Sequence, residues 1–131
     1  MITLSTALMC LTMAVHFEAR GEPESGQYAV AHVVMNRSEQ DYNNVCKTIM
    51  QPKQFSWWDD VKTGKLKIYA SDDSWKASQQ IALNVLKGQH QDNTKGSTFF
   101  HATYVHPYWA NTMKKTKKIG DHVFYKKVAV N

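Results

Sequence analysis

The sequence predicts an α+β domain, helical first, with a small antiparallel sheet near the C-terminus. Three observations carry that prediction. Apolar residues recur at helical spacing through the first third of the chain, in two stretches separated by Gly21 and Pro23. A third such stretch between residues 74 and 87 ends at Gly88. Beyond residue 97 the pattern changes to short runs of aromatic and β-branched residues, two of them joined at Gly120-Asp121. Helices followed by strands, without alternation, imply segregated layers.

The first helix is expected over about Leu4 to Ala19, with Leu4, Leu8, Leu11 and Val15 on its inner side and Glu18 continuing that side at the C-terminal end. Gly21 suits the helix end and Pro23 the start of the next. The second helix, about Glu24 to Ser38, is expected to bury Tyr28, Ala29, Val30, Val33 and Val34, with Glu24 and Arg37 complementing its dipole. A short helix from about Asn44 follows, then QPKQFSWWDD, where Phe55, Trp57 and Trp58 stand close together as a core plug or a ligand-stacking wall. The third long helix, about Ser74 to Lys87, offers Ser71 or Ser74 as cap and Trp75, Ile81, Val85 and Leu86 as its inner side. STFFHATYV and KKIGDHVFYKK supply the strands.

At 131 residues the chain is expected to form one domain, residues 1–131, with one core. No apolar run reaches the length that crosses a bilayer. The opening MITLSTALMCLTMAV has no Lys or Arg ahead of its apolar stretch and runs directly into the Glu18 region. It is therefore read as part of the folded domain, with no signal peptide evident. Cys10 and Cys46 allow either one disulfide or two buried thiols. Charge is uneven. Residues 1–46 hold two Arg against five carboxylates, a balance of −3, while residues 47–131 hold fourteen Lys against six Asp, a balance of +8, giving +5 for the chain. The Lys114–Lys118 region is the densest basic run; it is either a solvated face or a surface for an anionic polymer or lipid.

The chemistry centres on HFEARGEPESGQY, residues 16–28. A carboxyl at the end of an apolar helix side, beside Phe17, is desolvated, and the helix C-terminus adds partial negative charge; both raise its pKa. A general acid for glycosidic cleavage needs that shift. The competing reading is a helix-terminal Glu in a surface ion pair with Arg20, unless Arg20 pairs with Glu22 or Glu24. His16-Phe17-Glu18 matches the H-x-E half of a deaminase zinc signature, but the P-C-x-x-C half is missing, as is H-E-x-x-H. A site from His101, His106 and either His16 or His122 stays open, as does a Cys–His peptidase using Cys10 or Cys46. FFHATYVHPYWAN brings Tyr104, Tyr108, Trp109 and Asn111 together, the mixture of rings and polar groups that sugar-binding grooves use, or simply the packing of a sheet onto helices.

The strings FEARGEPESGQYAVAHVVMNR, QPKQFSW, FFHATYVHPYWA and IGDHVFY, in that order, resemble the SleB/CwlJ family of cell-wall hydrolases from about Cys10 to Tyr125. The resemblance implies a lysozyme-like fold and cleavage of the bond between N-acetylmuramic acid and N-acetylglucosamine, with Glu18 as the catalytic acid. Gln54, Phe55, Ser56, His101, Tyr104 and Trp109 are the expected substrate-binding residues. Arg20, Glu22 and Asn36 are expected to buttress the Glu18 turn. A lytic transglycosylase reaction is preferred, with a hydrolytic muramidase, an N-acetylmuramoyl-L-alanine amidase and a non-catalytic wall- or nucleic-acid-binding module as alternatives. The expected partner is peptidoglycan, with no cofactor, no metal and no nucleic acid, and a monomer is expected. Neither the export signal nor the peptidoglycan-binding module of other members is evident in this sequence, and none is expected. That suits a compact phage endolysin made in the host cytoplasm and acting on the wall after release.

Overall fold

The computed structural model describes residues 1–52 and 54–128. Five α-helices come first: α1 (Leu4–Ala19), α2 (Glu24–Arg37), α3 (Val45–Met50), α4 (Trp57–Lys62) and α5 (Asp73–Leu86), with a 3-10 turn at Tyr42–Asn44 leading into α3. Three strands follow: β1 (Phe99–Ala102), β2 (Met113–Ile119) and β3 (His122–Lys127), with a second 3-10 turn at Tyr108–Thr112. The expected α+β order is the observed one.

Helix α1 is central and packs against α2, α3 and α5. Its start is capped by Thr3, whose hydroxyl accepts from the Thr6 amide at 3.1 Å. The expected inner side is too narrow. Leu4 is 46% exposed, whereas from Cys10 to His16 every residue is buried. Neighbours on three sides leave residues 10–16 of α1 with no solvent face, so an amphipathic stripe under-describes it. Thr12 meets that burial by donating its hydroxyl to the Leu8 carbonyl at 2.6 Å. Helix α2 buries the five expected residues and also Ala31, His32 and Met35.

Cys10 and Cys46 form a disulfide that ties α1 to α3, with Cα atoms 5.3 Å apart and a sequence separation of 36. The open choice between a bridge and two thiols resolves to a bridge. Phe55 and Trp57 join the main core, and Trp58 packs partly against it. The QPKQFSWWDD stretch, not expected as a helix, turns into α4 at Trp57, a six-residue helix with Asp59 and Asp60 in its first turn. Adjacent apolar residues carry no helical spacing, which is why periodicity missed it. Helix α5 begins at Asp73 with Asp72 at the N-cap, so neither Ser71 nor Ser74 caps it. Trp75, Ile81 and Val85 are buried as expected, and Leu86 is only partly covered.

The sheet order is β1-β3-β2, antiparallel throughout, with the β2–β3 hairpin turning at Gly120-Asp121. Central β3 is buried from His122 to Tyr125, and fully buried Phe124 packs on Ala29 and Val33 of α2. Strand β2 is an edge. Lys114, Lys115, Lys117 and Lys118 are exposed along it, with a register shift between Lys115 and Lys117. Charge and a bulge on an edge strand both discourage pairing with another chain. Gly120 is required twice over: φ is +57°, and a Cβ there would lie 2.7 Å from the Glu22 carboxylate.

Candidate active site

The last turn of α1 opens onto a cleft of about 750 Å³. One wall is helical, made of Phe17, Glu18 and Phe55; the other comes from β1 and the 102–109 segment. Ala19 ends α1, Arg20 turns into extended backbone, and Gly21 at φ +88° lets the chain leave without covering Glu18.

Glu18 is half-buried, and the Trp57 indole donates its N–H to Glu18 Oε1 at 2.9 Å. Desolvation pushes the Glu18 pKa above the ordinary carboxyl value; the Trp57 hydrogen bond opposes the shift without cancelling it. The ring of Phe17 lies 5.2 Å from that of Trp57 and seals the side of the carboxyl. Arg20 does not pair with Glu18. It is exposed, and its guanidinium donates to His16 Nε2 at 3.3 Å. Among the described residues Glu18 has no ion-pair partner and is the only carboxylate lining the cleft.

The other acidic residues of the motif point elsewhere. Glu22 Oε1 accepts from the Asp121 amide at 2.7 Å and sits 3.6 Å from His122 Nδ1. Burial holds His122 below the usual histidine range despite Glu22, so at neutral pH this contact is a charge facing a neutral ring. Glu22 thus fastens the α1–α2 turn to the β2–β3 hairpin. Glu24 is exposed in the first turn of α2.

Across the cleft, His101 is held in one tautomer. Its Nδ1 faces the Ala102 carbonyl at 2.7 Å and can only donate, so Nε2 accepts from the Tyr125 hydroxyl at 2.9 Å. Trp109 stands edge-on to Tyr125 at 5.4 Å, and also meets Phe99 and His101. Tyr104 is 81% exposed and Tyr108 89% exposed, two rings at the rim with one face open to solvent.

Of the expected binding residues, Gln54, Phe55, His101, Tyr104 and Trp109 line the cleft and Ser56 does not. Ser56 immediately precedes α4; the turn that sends Phe55 and Trp57 inward sends Ser56 out to solvent. Asn111 is also exposed and outside the cleft. Of the expected supports, the Arg20 side chain contacts only His16 of α1 among the described residues, and Glu22 ties the turn after Glu18 to Asp121 of the hairpin. Asn36 lies at the far end of α2 and instead holds the loop before β1, donating to Asp92 at 3.0 Å and to the Ser97 carbonyl at 2.9 Å.

Sequence reasoning missed Trp57 as the direct partner of Glu18, and Arg37 and His122 as cleft residues. Trp57 had a signal, a ring with an N–H donor in a string too aromatic for surface. Arg37 had none, because its neighbours Gln54 and Phe99 are remote in sequence. The disulfide leaves neither cysteine as a thiolate. Among the described residues no three His, Cys, Asp or Glu side chains are grouped to hold a metal ion.

The Cell Wall Hydrolase family profile matches residues 21–125. The spore cortex-lytic enzyme of Halalkalibacterium halodurans is 34% identical over 120 residues, covering 89% of this chain and 34% of the relative. That of Bacillus cereus is 32% identical over 122 residues, covering 91% and 44%. The chain thus spans between a third and a half of the length of these relatives. Among solved structures, the catalytic domain of Bacillus cereus SleB aligns with a TM-score of 0.73 at 29% identity, covering 93% of this chain and 91% of that one. The catalytic domain of the germination-specific lytic transglycosylase SleB from Bacillus anthracis aligns with a TM-score of 0.72 at 30% identity, covering 95% and 97%. The lysozyme-like fold expected from the motifs is the one observed, and the chain belongs to the Cell Wall Hydrolase family.

Proposed function

We propose that this chain cleaves the glycan strands of peptidoglycan between N-acetylmuramic acid and N-acetylglucosamine, as a lytic transglycosylase with Glu18 as its acid and then its base. The observation that carries this reading is the solitary, desolvated Glu18 carboxyl in a cleft with no second carboxylate among the described residues. Two-carboxylate glycosidases place the partner about 5–5.5 Å or about 6.5–9.5 Å away. Here Glu22 is committed to the hairpin. The SleB structures it resembles include one named as a lytic transglycosylase.

In the proposed reaction Glu18 gives its proton to the glycosidic oxygen. The C1–O bond breaks with its electron pair going to the N-acetylglucosamine 4-oxygen, and positive charge develops on the muramoyl C1 and ring oxygen. The Glu18 carboxylate then takes the proton of the muramoyl 6-hydroxyl as that oxygen bonds to C1. The 1,6-anhydro product forms without consuming water, and Glu18 ends protonated as it began. Trp57 keeps one carboxyl oxygen fixed through both proton transfers.

Digestion of purified peptidoglycan followed by mass spectrometry tests this directly. Anhydro ends, one water lighter than reducing ends, are the expected product. Reducing ends would indicate a muramidase, and free stem peptides an amidase. As part of the same reading, the exposed lysines of β2 hold the enzyme against an anionic wall polymer or lipid. Wall binding is then expected to weaken as ionic strength rises from low to physiological; binding indifferent to salt removes that role.

A further inference from the structure

Arg37 ends α2, where a cation suits the helix dipole, yet its guanidinium is drawn into the wall of the cleft. Its Cζ stands 5.5 Å over the Phe99 ring. Its Nη2 donates to the side-chain oxygens of Gln51 and Gln54, both neutral amides. Among the described residues no carboxylate lies within ion-pair distance of it, and its Nε and Nη1 donors have no protein acceptor. Burial pulls its pKa below the usual arginine value, with no acidic group offsetting the desolvation. The guanidinium is half-buried, and its remaining donors open to the solvent of the cleft, where they are free to take an anionic acceptor.

The surroundings point to a ligand. Arg37 and Phe99 line the catalytic cleft and also an adjoining groove of about 320 Å³, so they stand where the two meet. Lys127, also on that groove, brings its Nζ to 6.0 Å from the centre of the same Phe99 ring. Glu39 borders the groove as well, without pairing to Arg37. In the cleft itself Glu18 is the only carboxyl among the described residues, and in the proposed reaction it enters as the acid, without a charge to repel an anion.

We infer that Arg37, assisted by Lys127 across Phe99, forms a carboxylate subsite at the junction of the cleft and the groove, making the chain selective for glycan that carries free carboxylates. This rests on the function proposed above. The sugar hydroxyls and N-acetyl groups of the wall polymer are neutral; its carboxylates are the lactyl group of muramic acid and the acids of the stem peptide. A planar carboxylate matches the open edge of a guanidinium that already uses only one nitrogen.

The test compares soluble peptidoglycan fragments in three forms: intact, with all carboxyls coupled to methylamine, and stripped of stem peptides so that only lactyl carboxylates remain. Blocking the carboxyls is expected to lower kcat/KM about 10-fold, chiefly through KM, as loss of a charge-assisted hydrogen bond does. Arg37→Gln is expected to lose a similar factor on intact fragments but no more than about twofold on blocked ones, because the interaction is already gone. The stripped form names the carboxylate: a retained rate assigns the lactyl group, a lost rate the stem peptide. Equal losses by Arg37→Gln on intact and blocked fragments overturn the subsite and leave Arg37 only as a brace for Gln51 and Gln54. If Arg37→Gln melts early, Lys127→Gln carries the test at an exposed position, with a loss of about threefold confined to carboxylate-bearing fragments; an equal loss on blocked fragments overturns the proposal. Cleavage of none of the three forms refutes the proposed function. Equal cleavage of all three refutes the subsite alone.

Discussion

The two walls of the cleft are built from opposite materials. The helical wall presents Glu18 from the end of the most enclosed helix, with Trp57 buried behind it and a disulfide tying α1 to α3. The opposing wall ends in Tyr104 and Tyr108, both more than four-fifths exposed and on irregular backbone between β1 and β2. Proton transfer needs a fixed, desolvated carboxyl, which only a packed helix end provides. Gripping a polymer needs ring faces left open, which a packed core cannot offer. Under the proposed function the first wall supplies the chemistry and the second the recognition, and substitutions should separate them.

The largest effect is expected at Glu18. Glu18→Gln should lower glycan cleavage by roughly 10⁴-fold, the upper end for loss of an acid–base group. The folded pKa of Glu18 is raised, so the unfolded chain releases this proton first as pH rises. The stability it contributes is therefore present below the unfolded value and lost as pH rises through the folded one. Glutamine still accepts from Trp57 and carries no charge, so the inactive variant should melt higher than the parent at pH 7 and level with it near pH 4. A lower melting temperature at pH 7 would mean that Glu18 is not desolvated.

Next comes the bridge. Reducing Cys10–Cys46 should cost about 2–4 kcal/mol of stability, read as the shift of a denaturant midpoint with and without reductant. Activity should then fail at lower temperature without a changed product. Trp57→Phe sharpens the comparison within the helical wall, since it keeps a ring but removes the N–H. Losing a hydrogen bond to the charged form raises the Glu18 pKa further, so the alkaline limb of the pH–rate profile should move to higher pH, with kcat down about 10-fold. An unmoved limb would show that the indole only fills space. The smallest effects belong to the open wall. Tyr104→Ala and Tyr108→Ala should each raise KM about three- to fivefold, a stacking contribution of about 0.5–1 kcal/mol, with no change in melting temperature. A kcat loss in either would break the division of labour between the walls.

The expectations that succeeded rested on local physics. Helical spacing placed α1, α2 and α5, Gly21 and Gly88 marked their ends, and Gly120-Asp121 marked the hairpin. The expected desolvation of Glu18 at the end of α1 is also found, and the residue lines the cleft. Those that failed depended on long-range neighbours. Leu4 belongs to the apolar stripe of α1, but the helix outruns its core at that end. Ser56 sits among cleft residues in sequence and points away from them, because α4 begins one residue later. Asn36 lies in the motif string, yet its partners are Asp92 and Ser97.

By itself, then, the sequence determined the helix-then-sheet order and the glycine punctuation at Gly21, Gly88 and Gly120, since both follow from spacing and backbone preference within one or two turns. Tertiary structure alone decided that Trp57 holds Glu18, that Cys10 meets Cys46, and that Arg37 stands over Phe99. Each of those contacts joins residues 36 or more apart, across distances that no local pattern encodes, and the desolvation that shapes their chemistry exists only once the walls have closed.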